Sequence, residues 1–449
     1  MSTFPPVPNL PQPAHQGGLT ATARLDRRRI HHRGNSVRHL VVTVQAPTAA
    51  AAAAPLPMNL ALVLDASGSM SGPPLAAAVA AALSVVERLG PSDHLSLVSF
   101  ACDVVVHHEA VRMDAAGQAL LRGSLQALHT RGSTDLAAGW LAGCEAVARR
   151  AATAQDAARG HVLVLSDGRA NHGIVDPSQL AAIASDLRQR AVTTSTVGIG
   201  DGYEPVHLQT LAEAGGGRMH DAERTTDLAA VLLGEVGAAR TTTVENLVVH
   251  LDLPEGVQAR VYGTAPLSGS AREVRVVLGA MASGGQRTLV LPLHFPARRD
   301  HDELLLGVRL RWQAPGAQDV RELVLPPCTA LFATGEAVRL EARDPALAAV
   351  VLQHWHDHAV HTAMAQNQAG AGQAAADGLG RELHWFERYS QFVPGGAELV
   401  ASLQRLQQTV HRRHAPRAAK EALLASYKRS RGERDLRTGR PEPGQFGAW

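Results

Sequence analysis

The 449-residue chain predicts an α/β protein: a doubly wound, mostly parallel sheet inserted in an antiparallel β-sandwich domain, followed by a C-terminal helical region. Three observations carry this. Between residues 58 and 240 short apolar strand-like runs alternate with helical patterns, as in a parallel sheet with helices on both faces. Between 241 and 342 the period falls to two, with Pro and Gly between segments, as in a sandwich. From 343 the pattern is helical, opened by an Asp344-Pro345 start signal.

Taken in order, residues 1–17 are rich in Pro, Gly and Gln and are expected to be disordered. Within 18–45, Leu19–Leu25 alternates apolar residues with Thr and Arg, and Val37–Val44 is a β-branched run. These two strands have no sheet of their own. They are expected to cross the inserted domain and pair with the sandwich strands after residue 241. Residues 46–57, bounded by Pro and holding six consecutive alanines, read as a linker.

In the inserted domain, strands are expected near 59–64, 95–100, 103–108, 161–166, 192–198 and 218–220. Helices should occupy about 74–89, 114–127, 135–152, 177–190, 204–215 and 225–239. The link Ala101-Cys102 leaves room only for a hairpin, so 103–108 should be an antiparallel edge strand. Sandwich strands are expected at Val244–Leu253, Val257–Val261, Glu273–Leu278, Arg287–Phe295, Glu303–Trp312 and Val320–Leu325. Helices should then cover 345–368, 371–391 and 396–427, with Pro394-Gly395-Gly396 breaking the last two. Residues 428–449 read as a basic flexible tail.

The net charge of +2 gives no global reason to expect a nucleic-acid partner. Charge is uneven: from Arg405 onward eleven Lys or Arg face four Asp or Glu, a net of +7 that leaves −5 for the rest. No aromatic interleaving accompanies the basic end, so it reads as a solvated terminus. Cys102, Cys144 and Cys328 lie far apart and form no C-x-x-C pair, which argues against a disulfide framework and a zinc knuckle. A reducing, cytoplasmic location is expected. The first thirty residues hold no apolar leader segment. The run Pro74–Val86 falls short of the about 20 residues a membrane span needs.

The apolar run at 59–64 ends in Asp65-Ala66-Ser67-Gly68-Ser69. If the chain leaves the strand still extended, its three oxygen-bearing side chains point the same way. Three oxygens, one anionic, without a neighbouring Cys or His, suit a hard cation such as Mg²⁺. The stretch resembles the D-x-S-x-S core of the metal-ion-dependent adhesion site in von Willebrand factor type A domains. That family completes the site with a Thr and an Asp from two later loops. Gly132-Ser133-Thr134-Asp135 resembles the first loop, and Leu165-Ser166-Asp167-Gly168 the second.

The resemblance implies a Rossmann-like fold and a site of Asp65, Ser67, Ser69, Thr134 and Asp167. The hydroxyls would coordinate Mg²⁺, or else Mn²⁺ or Ca²⁺, directly, and the carboxylates largely through water. It also implies a protein partner that supplies an Asp or Glu to the ion. The flanking β-domain is similar to that of bacterial members and of inter-alpha-trypsin-inhibitor-like relatives.

Singly, Asp65 or Asp167 would read as a strand-end residue capping a turn. Asp135 could add charge behind the ligands or cap the helix that begins there. Catalysis is not expected. A dehalogenase-like phosphatase resembles D-x-D, and Ser67 stands where its second acid would be. No G-x-x-x-x-G-K-[ST] follows a strand, and Met70 occupies the centre of what would be a nucleophile elbow. Two rivals to a binding module stay open: a hydrolase using the same metal to activate water, and an assembly subunit in which the metal only stabilises the fold. His354, His356, His358 and His361 cluster on one expected helix, where 354, 358 and 361 share a face that could hold zinc; a packing or solvated role is preferred.

Overall fold

The computed structural model describes residues 13–49, 57–153, 160–167, 172–200, 203, 205–222, 225–317, 319–391, 393–412, 422–424 and 427. The chain opens with β1 (Ala14–Gln16) and β2 (Leu19–Leu25), an antiparallel hairpin closed by Gly17 and Gly18, both at positive φ. This corrects the expectation of disorder over 1–17. Two glycines supply the left-handed turn that folds 14–16 back, a signal outweighed in the sequence by the surrounding Pro and Gln. Residues 1–12 lie outside the described residues. Next come β3 (Arg29–His31) and β4 (Ser36–Gln45).

The inserted α/β domain comprises β5 (Asn59–Asp65), β6 (His94–Phe100), β7 (Val104–Arg112), β8 (Gly160–Ser166), β9 (Val192–Ile199) and β10 (Gly216–Ala222). Its helices are α1 (Pro73–Arg88), α2 (Ala115–Gln126), α3 (Leu136–Thr153), α4 (Pro177–Gln189), α5 (Pro205–Ala214) and α6 (Leu228–Arg240). The strand order is β10-β9-β8-β5-β6-β7, parallel throughout except for β7, which runs antiparallel to β6. Alternation along β5 decides the layers. Leu60, Leu62 and Leu64 join Val85 of α1 and Leu232 of α6 in one core, while Ala61 and Val63 join Trp140 of α3 and Leu211 of α5 in the other. Buried on both faces, β5 has no polar residue between Asn59 and Asp65.

The remaining strands are β11 (Thr242–Asp252), β12 (Gln258–Ala259), β13 (Leu267–Gly269), β14 (Glu273–Ala282), β15 (Gln286–Phe295), β16 (Glu303–Gln313), β17 (Val320–Val324) and β18 (Cys328–Ala333). One sheet runs β1-β2-β4-β15-β12, the other β13-β14-β11-β16-β18-β3, with β17 also on β16. Thus β2 and β4 flank the inserted domain in sequence yet share a sheet with β15, in which Val42 faces Leu289. Leu40, Val42, Val249, Leu251, Leu291 and Leu310 fill the space between the sheets.

Two strands carry no alternating pattern long enough to read. Single apolar Ile30 marks β3, which is held by parallel pairing to β18; β13 is exposed. The expected strand Val257–Val261 shrinks to two ladder residues. A short helix, α7 (Gly335–Leu340), falls inside 241–342, which was expected to be all sandwich; the Thr334 hydroxyl accepts from Ala337 N–H at its start.

Helices α8 (Pro345–Gln368), α9 (Gly372–Ser390) and α10 (Gly396–Thr409) form the last layer. They cover the outer face of the first sheet, where Val41 and Val290 meet Val351 and Phe386. The expected helix 396–427 is corrected, since α10 stops at Thr409. The buried Asn367 amide donates to the Val410 and Arg412 carbonyls at 2.6 and 2.8 Å, holding the chain in a turn there. Residues 413–421 lie outside the described residues, as do 50–56 of the linker and the tail at 428–449.

Leu424 and Tyr427 pack into the core beneath β8–β10, and the Tyr427 hydroxyl accepts from Met219 N–H at 3.2 Å. Among the described residues no helix is long and apolar enough to cross a membrane.

Candidate metal centre

The site grows from the carboxyl end of β5, the edge at which open α/β sheets bind ligands. Asp65 is fully buried there. Its Oδ1 accepts from Ser67 N–H at 2.8 Å, and its Oδ2 accepts the Ser166 hydroxyl at 2.5 Å. One 3₁₀ turn, Gly68–Met70, follows and is pinned by the buried Met70 side chain. Gly72 then takes φ 81°, ψ −129°, which only glycine adopts freely, and α1 starts at Pro73. Ser67 is buried, Ser69 is exposed, and their hydroxyl oxygens lie 3.0 Å apart.

The loop bearing Thr134 is stitched to this turn. Gly68 N–H donates to Gly132 O at 3.0 Å, and Arg131 N–H to Ala66 O at 2.6 Å. The β6–β7 hairpin closes from the side, with Asp135 N–H on Ala101 O at 2.7 Å. A Cβ at Gly132 would sit 2.4 Å from Cys102 Sγ, so a larger residue there would have to displace that side chain. Thr134 is buried, and its carbonyl accepts from His172 N–H at 3.1 Å. Asp135 accepts from Ala138 N–H at 2.9 Å and so caps α3.

Asp167 follows β8, half-buried and close enough to Asp65 for the two charges to interact. Burial pushes the Asp65 carboxyl above the usual carboxylate range, hydrogen bonds from Ser166 and Ser67 pull it back, and the Asp167 charge adds to the upward push.

These residues fit a hard cation. Among the described residues no group of three or more His, Cys, Asp or Glu is placed to hold a metal ion. The donors are hydroxyls and two carboxylates. The Ser67 and Ser69 hydroxyls are hydrogen-bonded at 3.0 Å, a spacing also compatible with the roughly 3.0 Å between adjacent ligands of an octahedron with bonds of about 2.1 Å. Ser166 was missed in the sequence. Its signal is a hydroxyl directly after the apolar buried run 162–165.

The histidines of α8 go to separate partners. His354 Nδ1 lies 2.9 Å from Val350 O, His356 Nε2 lies 3.1 Å from Ser402 Oγ, His358 accepts from Gly263 N–H at 3.4 Å, and His361 lies 3.5 Å from the Gln209 amide of α5. His356 and His361 tie α8 to α10 and α5, His358 ties it to the loop at Gly263, and His354 bonds within α8.

Residues 59–232 match the model of the von Willebrand factor type A domain, and the chain carries a domain of that class. Such domains generally mediate contacts between proteins, often through a divalent cation, and are mostly not enzymes. A Synechocystis protein of uncharacterized role, sll0103, is 28% identical over 277 residues, covering 58% of this chain and 63% of its own length. Inter-alpha-trypsin inhibitor heavy chain H3 of Mus musculus is 26% identical over 160 residues, 35% of this chain and 18% of that one. The chain therefore spans less than two thirds of either relative. The solved structure of a von Willebrand factor type A protein from Catenulispora acidiphila superimposes with a TM-score of 0.67 at 18% identity, covering 94% of this chain and 98% of that one, a likeness of fold.

Proposed function

We propose that the chain is a metal-dependent protein-binding module in which Asp65, Ser67, Ser69, Thr134 and Asp167 hold Mg²⁺. The observation that carries this reading is the uncompensated charge at Asp65. It is a fully buried carboxylate beside a second acid, and no cationic side chain pairs with it among the described residues. When bound, the cation supplies a coordination position that an Asp or Glu of a partner protein fills. The exposed Ser69 marks the side from which a partner approaches, while buried Ser67 and Thr134 fix the floor. Neutral hydroxyls leave much of the cation's charge unneutralised, which favours an acidic visitor. The three cysteines are unpaired, which supports a reducing, cytoplasmic setting as part of the proposal.

The test is a pull-down on immobilised full-length protein in Mg²⁺ and in EDTA, with Thr134→Ala alongside, read by mass spectrometry. A partner retained by wild type in Mg²⁺ and lost in the other two samples is expected. The same proteins in all three would refute the reading.

A further inference from the structure

We propose that Ser166 sets the ion preference of this site, by engaging one carboxylate oxygen of Asp65 and so denying a larger cation a two-oxygen grip. The proposal rests on the metal-binding reading above.

Both Asp65 oxygens are engaged. The Ser67 N–H bond to Oδ1 spans two residues and comes with the turn itself. The Ser166 bond to Oδ2 joins neighbouring parallel strands: Leu64 faces Leu165, which puts Ser166 beside Asp65. Both side chains are fully buried, so water does not compete for the bond. A valine or alanine would fill that core position without burying a polar group, so the hydroxyl is accounted for by its acceptor. Its acceptor is a carboxylate, so the bond is charge-assisted when Asp65 is ionised.

Each of these bonds takes one of the two lone pairs on its oxygen, so a cation that grips both oxygens must share each with a donor, while one held by a single oxygen or through water shares less. Mg²⁺ accepts that arrangement, because it needs near-octahedral single contacts at about 2.0–2.1 Å and keeps its waters. Ca²⁺, with six to eight oxygens at about 2.3–2.6 Å, commonly takes both oxygens of a carboxylate and loses most from the constraint. Ser166 is thus a positioning residue that acts through Asp65.

The experiment titrates full-length wild type, Ser166→Ala and Ser166→Thr with MgCl₂ and with CaCl₂ by calorimetry, and takes the ratio of the two dissociation constants. Ser166→Ala should shift that ratio toward Ca²⁺ by about tenfold, the lower range of effects for residues behind a metal's ligands, and Ser166→Thr should restore it. If melts in EDTA show that Ser166→Ala does not fold, Ser166→Val, which fills the position without a donor, replaces it and the same shift is required. Binding of both ions with an unchanged ratio, or a Thr variant that behaves like Ala, overturns this inference alone. Wild type that binds neither ion overturns the metal-binding reading, and this inference with it.

Discussion

Asp65 and Glu235 are buried carboxylates in one domain, near opposite ends of the same parallel sheet, and the fold treats them differently. Glu235, on α6, accepts the Ser195 hydroxyl at 2.6 Å and has His220 Nε2 at 2.7 Å, Arg218 at 3.0 Å and His161 at 3.6 Å. Burial alone would raise its carboxyl, but Arg218 and His220, then His161, outweigh it and hold the group well below the usual range. Asp65 has hydroxyls and a backbone N–H for partners and a second acid for a neighbour, and its carboxyl is held high. A buried acid completed by the protein's own cations is a piece of architecture. One left without them is held toward its neutral form unless a charge comes from outside.

The largest effect should come from breaking the completed site. Glu235→Gln leaves Arg218 without its counter-charge and should cost about 3–5 kcal/mol, measured by urea unfolding, whether or not Mg²⁺ is present. At the incomplete site the dependence on metal is the point. Mg²⁺ at about 100 times its dissociation constant should stabilise wild type by about 2.7 kcal/mol and leave Asp65→Ala unmoved in thermal melts. Equal shifts would erase the contrast between the two acids.

A half-buried histidine extends the comparison beyond the sheet. Burial first, and the His358 charge second, push His361 down to about 4 at the contact between α8 and α5. Between pH 6.5 and 4 the unfolded chain therefore takes up a proton that the folded chain refuses, and stability falls as the pH drops through that window. By pH 5 the loss from this group reaches about 2 kcal/mol, and His361→Gln should flatten the curve of melting temperature against pH. The smallest effect is the most diagnostic in sign. In EDTA, Asp65→Asn should melt higher than wild type by on the order of 1 kcal/mol, since it removes the disfavoured charge while the Ser166 hydroxyl can turn to accept from the new amide. A lower melt would mean that the Asp65 charge is satisfied after all.

Much of this was legible because it is local. The D-x-S-x-S spacing, the turn glycines and the apolar run of β5 lie within fourteen residues, and the loops of Thr134 and Asp167 are each a tetrapeptide placed before a helix or after a strand. Asp135 shows the limit, since only its bond to Ala138 N–H decided between capping and a share in the site. The hairpin strand β1 and the early end of α10 were misread. Composition outweighed two glycines in the first, and Asn367 acts across 43 residues in the second.

By itself the sequence determined the kinds of elements, since periods of two and of 3.6 are properties of neighbouring residues, and it determined which oxygen-bearing side chains stand at strand ends. Only the tertiary structure decided that β2 and β4 share a sheet with β15, that Tyr427 returns to Met219, that Glu235 is ringed by Arg218 and two histidines, and that Ser166 meets Asp65. Those contacts join residues far apart in the chain. No local spacing encodes them, because each arises only when separate strands and helices are brought into register by burying their apolar faces.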